Sequence, residues 1–254
     1  MFVCFADFSK AFDRVNYWKL FRQLTDLGVS TWIVSLLAHW YSHQQVCVQW
    51  GSTTSTFFFV GNGTKQGGVL SPSLFNCYVR NLILCVIESN IGCNIGGVPT
   101  NIFAYADDMV LLAPSWRALQ QLINILGDCA YNIDMSCNAN KTVCMIFPPK
   151  DKRKIVAHSF PYLKLNNTEL KYVNEFKYLG QIVSNDDRDD NDVLREVRSR
   201  CGSLAYLPTP VYNYTRVWVN RLGYHNGSNG LNGATTIRQW NCTFIVISRP
   251  ATSC

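Results

Sequence analysis

Residues 102–112 read Ile-Phe-Ala-Tyr-Ala-Asp-Asp-Met-Val-Leu-Leu, an apolar run interrupted by two adjacent acids. A bounded apolar stretch of this length reads as buried strand, so the segment predicts a strand pair carrying Asp107 and Asp108 at its centre. Burying adjacent carboxylates is costly unless something positive pairs with them. No Lys or Arg lies between Ile102 and Ser115, which makes a metal ion the natural partner. A polar hairpin turn explains an isolated Asp-Asp pair at least as well, so the metal reading needs a second carboxylate from elsewhere in the chain.

About 100 residues upstream, the run Phe2-Val-Cys-Phe-Ala ends at Asp7, as a buried strand delivering a carboxylate at its tip would. Adjacent strands bring such side chains within a few ångströms of each other, which distant loop acids rarely achieve. Nucleotidyl transfer is a chemistry that needs this arrangement. It uses two divalent ions roughly 3.5–4 Å apart, one at the attacking 3′-oxygen and one at the leaving pyrophosphate. Mg²⁺ takes oxygen ligands and keeps several waters, so two or three carboxylates plus substrate phosphates suffice.

Outward from these two strands, residues 11–41 turn helical with Gly28 as a break. Residues 45–60 alternate and are rich in Val, Phe and Thr, a hairpin turning at Gly51-Ser52. A Gly-rich loop over 61–68 leads through Pro72 into a helical stretch, 73–87. Ser115 caps a helix in which Leu119, Leu122, Ile123 and Leu126 form one apolar face. Further strands are expected near 143–147 and 176–183, with the acidic run Asp186–Asp192 as an exposed loop. The expected fold class is α+β, an antiparallel sheet with helices packed on one face.

Composition narrows the function classes. Hydrophobic residues at 48% and charged residues at 16% describe a mostly globular chain. No apolar run approaches the ~18–20 residues that cross a bilayer, and the start does not read as a signal peptide. The eleven cysteines form no C-x-x-C pair, which argues against a zinc ribbon and for free thiols in a reducing, intracellular compartment. The N-x-[ST] triplets at Asn62, Asn166 and Asn213 are then chance matches. Of the net charge of +6, residues 201–254 carry +4 through Arg216, Arg221, Arg238 and Arg249, leaving 19 basic and 17 acidic residues in the first 200. Any nucleic-acid footprint must therefore be local, and Lys150–Lys154 is one candidate. His39 and His43 share a helical spacing, but no third ligand accompanies them.

Five segments carry a resemblance. Phe5-Ala-Asp-Phe-Ser-Lys-Ala-Phe-Asp-Arg-Val15 is similar to the first catalytic motif of non-LTR (LINE-type) retrotransposon reverse transcriptases. Residues 63–79 resemble the second motif, Phe103-Ala-Tyr-Ala-Asp-Asp108 the Y-x-D-D box, Asn138-Ala-Asn-Lys-Thr142 the fourth motif and Phe176-Lys-Tyr-Leu-Gly180 the primer grip. They occur in the family's order over about 180 residues. The resemblance implies a polymerase palm that binds an RNA template, a DNA primer and deoxynucleoside triphosphates. Asp7, Asp107 and Asp108, with the Phe8 carbonyl, would hold two Mg²⁺ ions, or Mn²⁺ in their place. Phe12 would exclude a ribose 2′-hydroxyl, Gln66 and Gly67 would touch the incoming nucleotide, and Lys141 would protonate the leaving pyrophosphate. Tyr105, Leu179 and Gly180 would hold the primer.

The resemblance implies a division into palm at 1–147 with partial fingers at about 40–60, the end of the palm with the primer grip at 148–200, and a tail at 201–254 without family character. The thumb is expected to be absent or degenerate. A longer enzyme's fragment or a decayed copy would show this pattern, and either is expected to polymerise poorly or not at all. Two other readings remain open: a non-catalytic nucleic-acid-binding remnant, and an RNA-dependent RNA polymerase. The last typically has a polar residue where this chain has Phe12, and Gly-Asp-Asp in place of Tyr-Ala-Asp-Asp.

Overall fold

In a computed structural model, residues 1–65, 67–149, 159–186 and 188–201 are described, with side chains as far as residue 196. Gln66, the basic cluster Lys150–Lys154 and the tail from residue 202 lie outside these. The chain divides into two compact units between Arg188 and Asp189.

In the first unit, the strand β1 (Phe2–Ala6) is buried at all five positions. It is followed by a 3₁₀ turn (Phe12–Arg14) and the helices α1 (Tyr17–Asp26), α2 (Thr31–Ser42) and α3 (Ser71–Glu88). The hairpin strands β2 (Ile102–Tyr105) and β3 (Asp108–Ala113) come next, then α4 (Trp116–Asn132) and β4 (Val143–Ile146). The short β5 (Lys171–Tyr172) and the pair β6 (Glu175–Tyr178) and β7 (Gln181–Ser184) complete it. The main sheet has the order β5-β4-β1-β3-β2. In β1 Cys4 faces Leu111 of β3 on one side and Cys144 of β4 on the other.

A central strand needs both faces covered, and the alternation along β1 shows how this is met. Phe2, Cys4 and Ala6 join the core built with Phe75, Leu82, Leu119 and Leu122 of α3 and α4. Val3 and Phe5 point the other way, into a second cluster with Val110, Val143 and Met145. Phe176, Tyr178 and Val183 of β6 and β7 pack against that cluster. Helices therefore cover one face, as expected, and a β-hairpin closes part of the other.

Several local expectations are corrected. The sheet is mixed, because β5 runs parallel to β4; the connection from residue 147 to 170 is long enough to bring the chain back in the same direction. Residues 176–183 are two strands of a hairpin, not one. Residues 11–16 are not α-helical: α1 begins at Tyr17 with Asn16 as its cap, the Asn16 side chain accepting from Trp18 and Lys19 N–H at 3.0 and 3.2 Å. The acidic run does not stay a loop either, since α5 (Asp190–Cys201), in the second unit, has Asp190 and Asp192 in its first turn. Acids there complement the positive end of the helix dipole. The predicted hairpin at 45–60 forms as two short ladders, Gln45–Val46 with Phe58–Phe59 and Gln49–Trp50 with Thr53–Thr54. Among the described residues no helix is long and apolar enough to cross a membrane.

Asn101, fully buried just before β2, holds the sheet to the end of α3. Its side-chain amide donates to the Val86 carbonyl at 2.7 Å and the Ile91 carbonyl at 2.8 Å, while its backbone carbonyl accepts from Leu112 N–H at 2.9 Å. Asn101→Ala leaves two carbonyls without their donor, and is expected to lower unfolding stability by about 2–4 kcal/mol in urea titration.

Candidate active site

Asp7 is the first residue past β1, and its backbone is gripped from both sides. Its N–H donates to the Thr142 hydroxyl at 3.2 Å and its carbonyl accepts from Asn138 N–H at 2.8 Å. The loop carrying Asn138 and Thr142 is itself tied, with Lys141 and Thr142 N–H both donating to the Asn138 carbonyl. Thr142 is buried and its bond to Asp7 is part-buried, which limits competition from water. One Asp7 carboxylate oxygen, Oδ2, is buried without a hydrogen-bond partner. A buried carboxylate oxygen without a donor is costly, and a bound cation is the ligand that would satisfy it.

The hairpin delivers the other two acids. Tyr105 pairs with Asp108, Ala104 with Met109, and Ala106-Asp107 form the tip, Ala106 with a φ of 52°. Because Ala6 pairs with Met109 in β1–β3, Asp7 and Asp108 extend past the same pair on neighbouring strands. Asp108 is open to solvent on one side, yet burial against the cleft wall raises its carboxyl above the usual range, and the negative charges of Asp107 and Asp7 push the same way.

A cleft of about 240 Å³ lies over this end of the sheet, lined by Asp7, Asp108, Lys141, Phe5, Phe176 and Tyr178, among others. Lys141 reaches it from the Asn138 loop, while Phe176 and Tyr178 come from β6, their rings 4.7 and 5.5 Å from that of Phe5. The Tyr178 hydroxyl is pushed up to about 12, mainly by burial and further by the Asp108 charge. Asp107 is half-buried and is not among the lining residues. Among the described residues no three His, Cys, Asp or Glu side chains form a metal cluster by themselves, so a cation here would draw further ligands from water and substrate, as Mg²⁺ does.

The remaining predicted site residues occupy three places. Phe8 is buried and bridges Cys137. Phe12 stacks on Phe75 of α3, ring centroids 4.4 Å apart and planes 19° apart. The loop before α3 is fastened to the same 3₁₀ turn: Thr64 N–H donates to the Phe12 carbonyl and Gly63 N–H to the Val15 carbonyl, each at 2.8 Å. At Gly63 a Cβ would stand 2.9 Å from the Asp13 Cα with φ at +94°, so only glycine lets the loop approach this closely. Gly67, exposed with φ at +78°, has nothing within 4 Å of where a Cβ would stand. Leu179 and Gly180 form the two-residue turn of β6–β7, with φ at 48° and 85°.

Asn138, Thr142 and Tyr178 belong to segments singled out in the sequence, but only the structure shows their relation to Asp7 and Asp108. Backbone clamping leaves no mark in residue spacing, and a tyrosine in an alternating strand reads as ordinary sheet packing.

Residues 1–183 match the family model described as reverse transcriptase (RNA-dependent DNA polymerase), and the chain belongs to that family. It is 32% identical over 182 residues to the retrovirus-related Pol polyprotein from type-2 retrotransposable element R2DM of Drosophila melanogaster, covering 70% of this chain and 17% of that one. It is 26% identical over 186 residues to the RNA-directed DNA polymerase from mobile element jockey of Drosophila funebris, covering 71% and 19%. The chain thus spans less than a fifth of the length of these relatives. Among solved structures it is similar to apo telomerase from Candida tropicalis truncated from its C-terminal domain, with a TM-score of 0.49 and 12% identity over 72% of this chain and 34% of that one.

Leu179 sits in left-handed backbone, which costs a branched L-residue roughly 1–2 kcal/mol, whereas two-residue turns of this kind prefer Asn-Gly. Leu179→Asn is therefore expected to stabilise the first unit by about 0.5–1 kcal/mol in urea titration. An unchanged or lower midpoint would show that the Leu179 side chain is needed for packing.

Proposed function

We propose that this chain is the nucleotidyl-transfer core of an RNA-directed DNA polymerase, a palm with part of the fingers. It would add deoxynucleotides to a DNA primer 3′-hydroxyl on an RNA template. One observation carries the reading: Asp7, Asp108 and Lys141 meet in a single cleft where an Asp7 carboxylate oxygen is buried without a partner.

Asp7, Asp107 and Asp108, with the Phe8 carbonyl, would hold two Mg²⁺ ions, with Mn²⁺ as a substitute. When bound, such ions lower the pKa of the attacking hydroxyl and neutralise charge on the triphosphate. The chain's own residues do the rest. The clamp on the Asp7 backbone fixes that carboxylate at the cleft floor. Lys141, on the same loop, would give its proton to the leaving pyrophosphate oxygen as the α–β phosphoanhydride bond breaks and the new ester bond forms. Phe12, held by Phe75 and by the Thr64 bond, would close the space that a ribose 2′-hydroxyl needs. Gly67 leaves an open backbone for the incoming nucleotide, with Gln66 expected beside it. Tyr105 and the Leu179-Gly180 turn would carry the primer strand against Tyr178 and Phe176.

Burial of the Asp108 carboxylate beside two other acids predicts a thermal signature. Without metal, Asp108→Asn is expected to raise Tm, because it removes a charge that burial and two neighbours disfavour. With millimolar Mg²⁺ the wild type is expected to gain Tm and Asp108→Asn to gain much less. Equal shifts in both would place the cation elsewhere.

Activity is tested by primer extension on an RNA template. Slow, Mg²⁺-dependent incorporation of deoxynucleotides is expected, lost by at least about 100-fold in Asp107→Ala, with Phe12→Ala admitting ribonucleotides. Incorporation that survives Asp107→Ala would overturn the assignment of the site, and product from ribonucleotides alone would indicate an RNA polymerase instead.

A further inference from the structure

One buried hydroxyl ties the Phe12 turn to the loop that carries Lys141. Tyr78 of α3 is fully buried, and its hydroxyl is used on both sides. It accepts from Asn16 N–H at 3.2 Å and donates to the Ile133 carbonyl. These partners lie 62 and 55 residues away in sequence. Asn16 follows the turn that carries Phe12, and the carbonyl of Val15 just before it accepts the Gly63 N–H at 2.8 Å. Ile133 opens the loop that runs to Thr142. In that loop the Ser136 carbonyl accepts from Ser9 N–H at 2.9 Å, Asn138 N–H donates to the Asp7 carbonyl, and Lys141 reaches the cleft. Tyr78 does not itself line the cleft.

From this bridge we infer that Tyr78 is a positioning residue for sugar selection, holding Phe12 in place relative to the groups that would grip the triphosphate. The inference rests on the deoxynucleotide site proposed above. Helix α3 holds the Phe12 turn twice. Phe75 stacks on the Phe12 ring, and Tyr78, three residues on and therefore on the same helix face, holds Asn16. Steric exclusion is one-sided. A deoxynucleotide tolerates a Phe12 ring that has moved back, whereas a ribonucleotide gains the room its 2′-hydroxyl needs. Slack in the bridge therefore costs discrimination before it costs deoxynucleotide binding.

The bridge also has an exposed outer limb. Asn16 Nδ2 donates to Asp134 Oδ2 at 3.0 Å, and Lys19 Nζ pairs with Asp134 Oδ1 at 2.8 Å while donating to the Asn132 carbonyl at 2.9 Å. These bonds join the same two segments but are open to solvent, so they add less than the buried hydroxyl does. Asp134 sits in left-handed backbone with φ at 57°, a conformation that glycine adopts without strain. Replacing Tyr78 by Phe takes a partner from Asn16 N–H and from the Ile133 carbonyl, while a ring of the same shape stays in the core.

The test titrates dATP and ATP, with Mg²⁺, onto the full 254-residue chain. The chain holds a dideoxy-terminated DNA primer on an RNA template, so that binding is read without turnover. Tyr78→Phe is expected to lower the wild-type preference for dATP about tenfold, the scale of one lost hydrogen bond, with the dATP Kd changing less than about threefold. Asp134→Gly, which alters only the exposed limb, is expected to lower the preference about two- to threefold. Asn101→Ala, which destabilises the same unit through bonds to neither segment, is expected to leave it unchanged. A folded Tyr78→Phe with the wild-type preference, or one that loses both nucleotides in parallel, would overturn the proposal. If Tyr78→Phe does not fold, an unchanged preference in Asp134→Gly overturns it. A wild-type chain with no preference, or a preference that survives Phe12→Ala, would instead remove the deoxynucleotide site on which the inference rests.

Discussion

The structure depends on the burial of β1 on both faces. Five consecutive residues, Phe2–Ala6, lie inside a sheet whose helical side and hairpin side both close on them. A strand in that position cannot slip by one residue, because a slip would turn Cys4 toward Phe176 and Phe5 toward the helices. The fixed register decides where the chain emerges, and it emerges at Asp7. The same register aligns β3, so that Asp108 stands beside it.

Around that fixed point the surrounding loops behave as clamps. Asn138 and Thr142 hold the Asp7 backbone, and Gly63 and Thr64 hold the turn that carries Phe12. Asp108 is held where burial, and after it the charges of Asp107 and Asp7, raise its carboxyl, and one Asp7 oxygen lacks a donor. The fold therefore works against part of its own charge at one place. A cation there would relieve it, which is the physical content of the metal reading.

The parts legible in the sequence were those with a period or a sharp chemical interruption. The apolar runs ending at Asp7 and broken by Asp107-Asp108, the Ser115 cap and the leucine face of α4 all occur as the sequence predicts. The parallel edge strand Lys171–Tyr172 has two residues, too few to show any period. The β6–β7 turn stayed hidden because Leu179 occupies a left-handed position that asparagine or glycine usually fills. Residues 11–16 kept a helical pattern in sequence but spend it on a 3₁₀ turn and a cap. Thr142 and Tyr178 act on the site through long-range contacts that only the fold creates.

The most direct test of the metal reading is anomalous scattering from crystals of the protein soaked in Mn²⁺ with a deoxynucleoside triphosphate. Mn²⁺ peaks are expected at the cleft end of β1 and β3, coordinated by Asp7 and Asp108 oxygens, with the buried Asp7 oxygen among the ligands. Mn²⁺ ordered elsewhere on the protein, with that oxygen still without a partner, would contradict the metal reading.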